Sequence, residues 1–529
     1  MQAGKTRVLS TAAAIAASLV LSGSAMAQTP QSGGIAITAL NQDPQTVNPD
    51  VSSNVPDRLM GCILFQGMTQ LTNDYKMMPL LAESWTISPD GLTYSFTLKN
   101  VEWHDGKPLT SEDVKYTLTE VSPKYSAIFG PAGQVISSIE TPAKDKVVIK
   151  LKESFGPFLI SLGCNQGAAI LPSHLFQGTN PLQNPATSTA AVGTGAFKLA
   201  EWKRGDYVRL VANPKYHEPG KPYLEGVVGK VIPQSASQLQ ALQAGEIDHI
   251  LLLPPADRAA VRANPKLKVV ENDIAPSMNF MFFNATKKPL DDKRVRQALM
   301  RATDRDYLLK NVFFDIGDAG VAPITTQISW SANPGIDYRK MYPYDADKAN
   351  AQLDEAGLKR GPDGKRFTAR ITTFATQYPE LQQAAIAMKS MWQKVGVDVT
   401  VETLEDATIM KRVYQDRDFD ITLISYTSYS DPALGVARAY SAATIGRSFG
   451  NPSGYTDPKV ETLFDQGKKA VAYEDRAKYY QEAQVTLAED LPVIVLRQYR
   501  AVDAASQRLQ GIWGKYQGNG TWTDAWLSN

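Results

Sequence analysis

The sequence has few of the residues that build metal sites or disulfide frameworks. Among 529 residues there are two cysteines, Cys62 and Cys164, and four histidines, none in His-x-His or His-Glu-x-x-His spacing. We therefore expect neither a metal site nor a structural zinc, since such sites need grouped ligands. The two cysteines either pair in an oxidising compartment or lie apart as buried small side chains, and we expect the second arrangement.

The chain also lacks an excess of charge of either sign. It has 55 Lys and Arg residues against 54 Asp and Glu, a net charge of +1. Loss of the first 27 residues removes Lys5 and Arg7 and no acidic residue, so the remaining chain carries −1. A nearly neutral protein has no electrostatic footprint for nucleic acid or for an anionic membrane, and neither is expected as a partner.

Long apolar runs are missing beyond the beginning of the chain. There, Lys5 and Arg7 precede an apolar run at 8–21, and Ala25-Met26-Ala27 forms a small-x-small cleavage site. The run is short for a membrane span, and no cysteine follows it to carry a lipid. This pattern predicts an export signal cleaved after Ala27, rather than a retained anchor, and a freely soluble protein in the periplasm of a Gram-negative bacterium.

Catalytic motifs are missing as well. The sequence contains no G-x-S-x-G elbow and no P-loop, and Gly193-Thr194-Gly195 lacks the third glycine of a dinucleotide site. Most conspicuous carboxylates, such as Asp90 and Asp105, occupy turn positions. We expect no catalytic residues, no cofactor and no enzymatic activity. A pair of carboxylates brought together by the fold, as in a glycosidase, stays an open alternative because spacing in space is invisible here.

Local signals are dense between Leu81 and Leu118. Asp90-Gly91 is a hairpin turn in which glycine tolerates positive φ, and alternating strand residues flank it. A second turn follows at Asp105-Gly106, and Ser111 is expected to cap a helix with acids in its first turn. The segment predicts strand, turn, strand, turn, helix.

Other blocks extend this pattern along the chain. A strand at 34–39 is followed by a polar loop and by a helix expected at 57–69, and residues 193–248 predict strands around Arg204-Gly205 followed by a helix. From residue 276 onward, strands and helices alternate, which favours a further α/β unit.

These blocks, in this order over about residues 33–525, closely resemble the extracellular solute-binding proteins of family 5 of ABC importers, which take oligopeptides, dipeptides and nickel complexes. The resemblance implies an α/β, two-lobed periplasmic-binding-protein fold of type II, large peptide-binding subclass, with an extra subdomain inserted in the first lobe. The implied division is a signal peptide at 1–27, first-lobe segments at 28–72, 191–280 and 498–529, the inserted subdomain at 73–190, and the second lobe at 281–497.

The resemblance also implies a function. A receptor of this kind captures a small polar solute between its lobes, here a short peptide, an opine or another amino-acid conjugate, and delivers it to ABC permease subunits in the inner membrane. We expect a monomer that performs no covalent chemistry. The alternatives are a nickel-chelate or sugar receptor of the same family, a periplasmic hydrolase, and a chaperone-like protein.

One segment departs from the family pattern. Peptide-binding relatives carry a Trp-x-x-Asp-x-x-Asp/Glu-Pro motif whose first Asp pairs with the ligand's α-ammonium. Aligned on Asp431-Pro432, this chain has Ser425 at the Trp position and Ser428 at the ammonium-binding position. A serine hydroxyl cannot supply the charge-assisted bond that an ammonium prefers, which weighs against a conventional peptide. Asp431 is expected to cap the following helix.

The remaining candidates come from loops that match cleft regions of relatives. Tyr426 and Tyr429 either stack on the ligand or pack beneath their loop. An arginine could hold a carboxylate bidentately, or be solvated. The ligand-binding candidates are Asn41, Gln42, Asp43, Tyr125, Asn165, Gln166, Tyr378, Tyr426, Ser428, Tyr429, Arg438 and Arg447.

Overall fold

The computed structural model describes residues 29–126, 128–271, 276–375, 378–513, 515–516 and 522–528. The predicted signal peptide at 1–27 lies outside these residues. Within the described part of the chain, no helix combines the length and the apolar character that a membrane crossing requires.

A seven-stranded sheet organises the first lobe. Its central strand, Ile35–Leu40, runs parallel to Gly226–Val231 on one side and to His249–Ile250 on the other. The predicted hairpin around Gly205 forms one edge of the sheet, and both edges are antiparallel. In spatial order the strands are Leu267–Glu271, Val502–Ser506, His249–Ile250, Ile35–Leu40, Gly226–Val231, Tyr207–Ala212 and Phe197–Lys203.

Three helices accompany this sheet: Val55–Leu64, Ser235–Ala244 and Arg258–Ala263. The first is shorter than the predicted 57–69. It ends because Phe65 takes an extended backbone and donates its N–H to the carbonyl of Gly61. Residues Thr69–Leu71 then form a strand that pairs with Met77–Pro79.

A four-stranded antiparallel sheet follows, in the order Ala82–Ile87, Thr93–Leu98, Lys146–Leu151 and Ile136–Ala143. The predicted hairpin turn is present, with Gly91 at φ 69°. The helix Ser111–Tyr116 continues as a π-helical turn, Thr117–Val121. Its N-cap is Thr110 and not Ser111, because Thr110 has the extended backbone and shares a capping box with Asp113.

The second lobe is built on a mixed six-stranded sheet. Phe367–Phe374 runs parallel to both Val397–Leu404 and Ile421–Thr427, as expected where helices connect the strands. The spatial order is Asp318–Ala319, Val493–Tyr499, Ser277–Phe283, Ile421–Thr427, Phe367–Phe374 and Val397–Leu404. The longer helices are Lys293–Arg301, Arg305–Asn311, Ala346–Glu355, Pro379–Gln393, Pro458–Lys469 and Tyr473–Asp490.

Short elements complete the fold. The last strand pair is Leu509–Gln510 with Trp526–Leu527. The short helices and helical turns are Ser122–Tyr125, Gly130–Val135, Phe158–Ser161, Cys164–Gln166, Ser173–Phe176, Pro185–Thr187, Pro255–Asp257, Tyr338–Met341, Asp406–Ile409, Met410–Gln415, Ala437–Ala439 and Ala442–Thr444.

The lobes touch away from the strands that connect them. The hydroxyl of Tyr75 donates to the carbonyl of Gln327 at 2.7 Å, and the N–H of Gly156 donates to the carbonyl of Lys468 at 2.7 Å. Leu71, Tyr75, Ile160 and Ile328 form a small buried apolar cluster at the same place. A cavity between the lobes borders this cluster, since Leu71 and Ile160 also line it.

Candidate interlobe binding site

The cavity between the lobes has a volume of about 280 Å³. Most of its wall belongs to the first lobe: the helix Val55–Leu64, the turn at 163–166 and the loop at 216–218. The second lobe contributes Thr427, Tyr429 and Ser430. A solute held there touches both lobes.

Arg58 is the positively charged residue of the first-lobe wall. Pro56 opens the first turn of its helix, and the guanidinium projects to the turn at 164–166, where Nη2 donates to the carbonyl of Asn165. Its Nε is buried without a hydrogen-bond partner. Burial lowers the pKa of Arg58, and the Tyr429 phenol acts in the opposite direction. No carboxylate among the described residues forms an ion pair with this arginine.

A disulfide fastens the same helix to the same turn. Cys62, one helical turn after Arg58, is bonded to Cys164, with the two Cα atoms 5.9 Å apart. The expectation of two separate thiols is therefore wrong. Helix packing brings together residues 102 positions apart, a proximity that the sequence spacing does not reveal. Both cysteines line the cavity.

Uncharged polar groups line the rest of the first-lobe wall. The side-chain oxygens of Asn165 and Gln166 are buried without hydrogen-bond partners. Nearby, Gln66 donates to the Tyr216 hydroxyl at 3.0 Å, and its carbonyl lies 3.2 Å from Nε2 of His217. Burial lowers the pKa of His217 to about 4, so the ring is neutral at pH 7 and donates from Nε2.

The acidic residues of the wall are already paired. Lys221 binds Glu218 at 3.0 Å and Asp524 at 2.5 Å. Burial acts to lower the pKa of Lys221, but the hydrogen bonds to Asp524 and Glu218 together raise it, so the lysine stays charged. Lys221 therefore partly neutralises the charges of Glu218 and Asp524.

The segment that departs from the family motif is mostly directed into the second lobe. Tyr426 is buried, receives a hydrogen bond from the Tyr414 hydroxyl at 2.9 Å and donates to the carbonyl of Gly450 at 2.7 Å. Ser428 is buried, with its N–H on the carbonyl of Pro276. Tyr429, at φ 49°, lines the cavity.

Asp431 serves the fold at this place. It accepts two 2.7 Å hydrogen bonds from Arg476, and the side chains are 0% and 1% exposed. It also accepts from the N–H of Ala433, within a run of turns. The helix that Asp431 was expected to cap is absent from the described residues, and the short 3-10 turn Ala437–Ala439 follows instead. The carboxylate is thus fully engaged within the second lobe.

The other predicted residues lie outside the cavity wall. Asp43 accepts a hydrogen bond from the Trp202 indole at 3.1 Å, and the Arg438 guanidinium stacks 5.2 Å from the Tyr429 ring centre, behind the cavity. Tyr378 packs on Phe374. Exposed positions are occupied by Asn41, Gln42, Tyr125 and Arg447. Of the twelve candidates, Asn165, Gln166 and Tyr429 line the cavity.

Sequence reasoning missed Arg58, Gln66, Tyr216 and Glu218. One signal was available for the first of these: Arg58 lies four residues before Cys62 in the helix Val55–Leu64, so the two side chains share a helix face. The others lie on irregular loops, where no periodicity reports which way a side chain points.

Within the described residues, no three His, Cys, Asp or Glu side chains come close enough together to hold a metal ion. The cavity instead offers one arginine, neutral amides, hydroxyl groups and a paired acidic cluster. Such a set binds a polar solute through hydrogen bonds and charge.

Known proteins share this architecture. The family model for bacterial extracellular solute-binding proteins, family 5, middle region, matches residues 76–447. Oligopeptide-binding protein AppA of Bacillus subtilis is 28% identical over 497 residues, covering 91% of this chain and 89% of AppA. The probable D,D-dipeptide-binding periplasmic protein DdpA of Escherichia coli is 28% identical, covering 89% of each chain.

Solved structures agree in fold. AppA of Bacillus subtilis in complex with a nonapeptide superposes with a TM-score of 0.72 at 27% identity, covering 95% of this chain and 100% of that one. HbpA2 from Haemophilus parasuis gives a TM-score of 0.83 at 23% identity, covering 94% and 100%. The chain belongs to the bacterial extracellular solute-binding proteins of family 5, the binding components of ABC transporters, and has their two-lobed α/β fold.

Proposed function

We propose that this protein is the periplasmic receptor of an ABC importer and that it captures a small polar solute, such as a short peptide, an opine or another amino-acid conjugate, in the cavity between its lobes. The observation that carries the proposal is the cavity wall, to which both lobes contribute, with Arg58 on one side and Tyr429 on the other. A ligand that touches both lobes favours the closed arrangement by its differential affinity for it.

The size of the cavity favours a small cargo. At about 280 Å³ it lies at the lower end of small-molecule sites, and a nonapeptide such as the one bound by AppA would not fit within it. A dipeptide, a tripeptide or a compact amino-acid conjugate matches this volume better. The wall is polar enough to recognise such a solute through hydrogen bonds.

The proposal also covers the compartment, the oligomeric state and the membrane partner of the receptor. The mature chain begins after Ala27 in the periplasm, acts as a monomer and docks on permease subunits of the inner membrane, which reopen the lobes. It changes no covalent bond of its cargo. Its domain organisation follows the division at 72/73, 190/191, 280/281 and 497/498.

A thermal-shift screen of the mature protein, residues 28–529, tests the proposal. The panel contains dipeptides to nonapeptides, opines, sugars and nickel chelates. A true ligand at a hundredfold excess over its Kd stabilises the folded protein by about 2.7 kcal/mol. We expect this for short peptides or amino-acid conjugates, with the compound recovered unchanged. Stabilisation only by nickel chelates or sugars, or appearance of a reaction product, would contradict the proposal.

A matched pair of tyrosine variants localises the binding. Tyr429→Ala removes a ring from the cavity wall, whereas Tyr344→Ala removes an exposed ring of the second lobe that lies outside it. We expect weaker binding of the screened ligand by the first variant and unchanged binding by the second. Equal affinities would place the ligand elsewhere.

A further inference from the structure

Arg58 lines the cavity, and the partners of its guanidinium differ from those of three buried arginines, Arg476, Arg296 and Arg305. Arg476 is paired with Asp431, and Arg296 and Arg305 donate to several backbone carbonyls each. Arg58 makes a single hydrogen bond to the carbonyl of Asn165, and its Nε is buried with no acceptor among the described residues. It is a cation on a cavity wall with donor capacity to spare.

Such an arrangement is costly in the empty protein. Arg58 is half-buried and has no counter-ion among the described residues, so the hydration that its guanidinium loses is not offset by a carboxylate of the protein. The carboxylates that share the cavity do not supply that counter-ion, because Lys221 already holds Glu218 and Asp524. An anion brought by the solute would remove the cost, so the wall favours solutes that carry one.

We propose that Arg58 binds a carboxylate group of the transported solute, with the side-chain amides of Asn165 and Gln166 as additional donors. This proposal rests on the proposed function and names the part of the solute that the first lobe recognises. The planar guanidinium presents paired N–H groups that match the two oxygens of a carboxylate.

The neighbouring amides fit this role. Asn165 and Gln166 are half-buried and line the cavity, and only their side-chain oxygens are buried without a partner. Each amide therefore presents its NH₂ group, a pair of donors, to the accessible space. One guanidinium and two amides then surround a single anionic group.

The second lobe closes the same site. Tyr429 belongs to the second lobe, lines the same cavity as Arg58 and interacts electrostatically with it. In the same segment Ser428 is buried and Asp431 is held by Arg476, so neither offers a charge to an ammonium group. Recognition therefore rests on the carboxylate of the solute, with Tyr429 linking its capture to lobe closure.

Binding of carboxylate and amide pairs tests this assignment. The probes are Ala-Ala, Ala-Ala-Ala and N-(1-carboxyethyl)arginine, each with its carboxyl groups free or amidated, and inorganic phosphate as the alternative anion. Calorimetry should show the free acids binding the mature protein, the amides binding about thirtyfold more weakly, and phosphate not competing. Equal affinity for acids and amides, or displacement of the acids by phosphate, would overturn the assignment.

Variants separate this inference from the proposed function. Arg58→Gln should lose about thirtyfold in affinity for the acids and leave the amides unaffected, Arg58→Lys should lose less, and the exposed control Arg447→Gln should lose nothing. If wild type and Arg58→Gln bind the acids equally, the inference fails while the proposed function stands. If wild type binds only neutral solutes, the inference about Arg58 fails and the proposed function stands.

A ligand-free measurement completes the test. Because Arg58 lacks a counter-ion in the empty cavity, Arg58→Met should leave the urea midpoint of the unliganded protein unchanged or raise it. A lower midpoint would mark Arg58 as a structural link to Asn165 and overturn the proposal. The urea midpoint tests the role of Arg58 even if none of the probes binds. A complete lack of binding would be a separate result, and it would contradict the proposed function.

Discussion

Asp431, the acidic residue within the altered ligand motif, is held in a buried ion pair. Arg476 donates two hydrogen bonds of 2.7 Å to Asp431, both side chains are buried, and the Arg476 guanidinium also lies 4.9 Å from the Trp330 ring. In a setting of low dielectric each charge depends on the other. The carboxylate therefore stabilises the second lobe and does not face the cavity.

Breaking this pair should be far more costly than breaking an exposed one. Asp431→Asn leaves Arg476 buried without its counter-ion, and we expect the free energy of unfolding to fall by about 3–5 kcal/mol. The control, Asp465→Asn, breaks the exposed pair with Lys469 and should cost less than about 1 kcal/mol. Urea denaturation measures both. Similar losses from the two substitutions would contradict the structural role of Asp431.

Asp50 predicts how stability depends on pH. It is fully buried, accepts from the Ser122 hydroxyl and from the N–H of Ala169, and burial raises its pKa to about 7 despite these bonds. Because the native pKa exceeds the unfolded value of 3.8, folding favours the protonated carboxyl. That contribution is complete below about pH 4 and is lost as the pH rises through 7.

Asp50→Asn should remove this dependence. The amide resembles the protonated carboxyl in shape, so the variant should gain stability relative to wild type as the pH rises from 4 to 8, by about 4 kcal/mol in total. The exposed substitution Asp145→Asn serves as control. Urea titrations at several pH values give the difference directly. A difference that stays flat over this range would show that Asp50 titrates normally.

At the scale of elements, the helix Val55–Leu64 and the turn Cys164–Gln166 act as one unit of the binding site. The disulfide joins them, Arg58 donates across them, and both line the cavity. Asp50 ties the preceding loop to the same region through Ala169. The geometry of the carboxylate site therefore depends on how firmly the helix is held against the turn.

Removing the disulfide should weaken both folding and binding. Replacing Cys62 and Cys164 with serine frees a loop of 102 residues, and chain entropy predicts a loss of about 4.7 kcal/mol in the free energy of unfolding. We also expect weaker ligand binding, since Arg58 and Asn165 lose their mutual position. Urea denaturation and calorimetry measure these effects. Dithiothreitol should reproduce them in wild type and change nothing further in the double variant; a variant as stable as wild type would contradict the prediction.

Elements with a periodic pattern were predictable, and contacts between elements were not. The strand at 35–40 and the hairpin at Gly91 follow from alternation and turn chemistry. Tyr426 lies in the strand Ile421–Thr427 and points into the core, whereas Tyr429, three residues later and beyond the strand, lines the cavity. Both residues are tyrosines, so residue type alone gave no reason to prefer one of them as a ligand-binding residue. The position at which the strand ends decides which of them faces the cavity.

The same distinction explains the two errors of greatest consequence. Pairing of Cys62 with Cys164 depends on which helix face meets which turn, and this is a tertiary property. Arg58 was overlooked because an arginine on a helix is usually solvated, and only the structure shows that this one lines a cavity. Residue types and their spacing in the sequence identified the family. The candidate site became visible only from the way the lobes pack together.

At the scale of the whole molecule, hydrogen bonds outside the cavity hold the lobes together. The Tyr75 hydroxyl donates to Gln327, and Ser154 Oγ donates to the carbonyl of Lys469 at 2.6 Å. Neither donor lines the cavity. They stabilise the closed arrangement without touching the solute, so they should set affinity through the equilibrium between arrangements.

Tyr75→Phe tests this effect. It removes one hydrogen bond between the lobes, worth about 1 kcal/mol, and should weaken ligand binding about fivefold by favouring the open arrangement. Tyr344→Phe, at an exposed ring outside the contact, is the matched control. Small-angle scattering should show a larger radius of gyration for unliganded Tyr75→Phe than for wild type. Unchanged affinity and radius would mean that this contact does not govern closure.

The central claim is that the protein encloses a small solute and returns it unaltered. Native mass spectrometry of the mature protein incubated with Ala-Ala-Ala and its amide addresses this most directly, because it counts bound molecules and weighs what is released. We predict one molecule of the free acid per chain at saturation, recovered at its original mass, and little of the amide. Fragments of the peptide, or adducts that accumulate without a limiting ratio, would contradict the account.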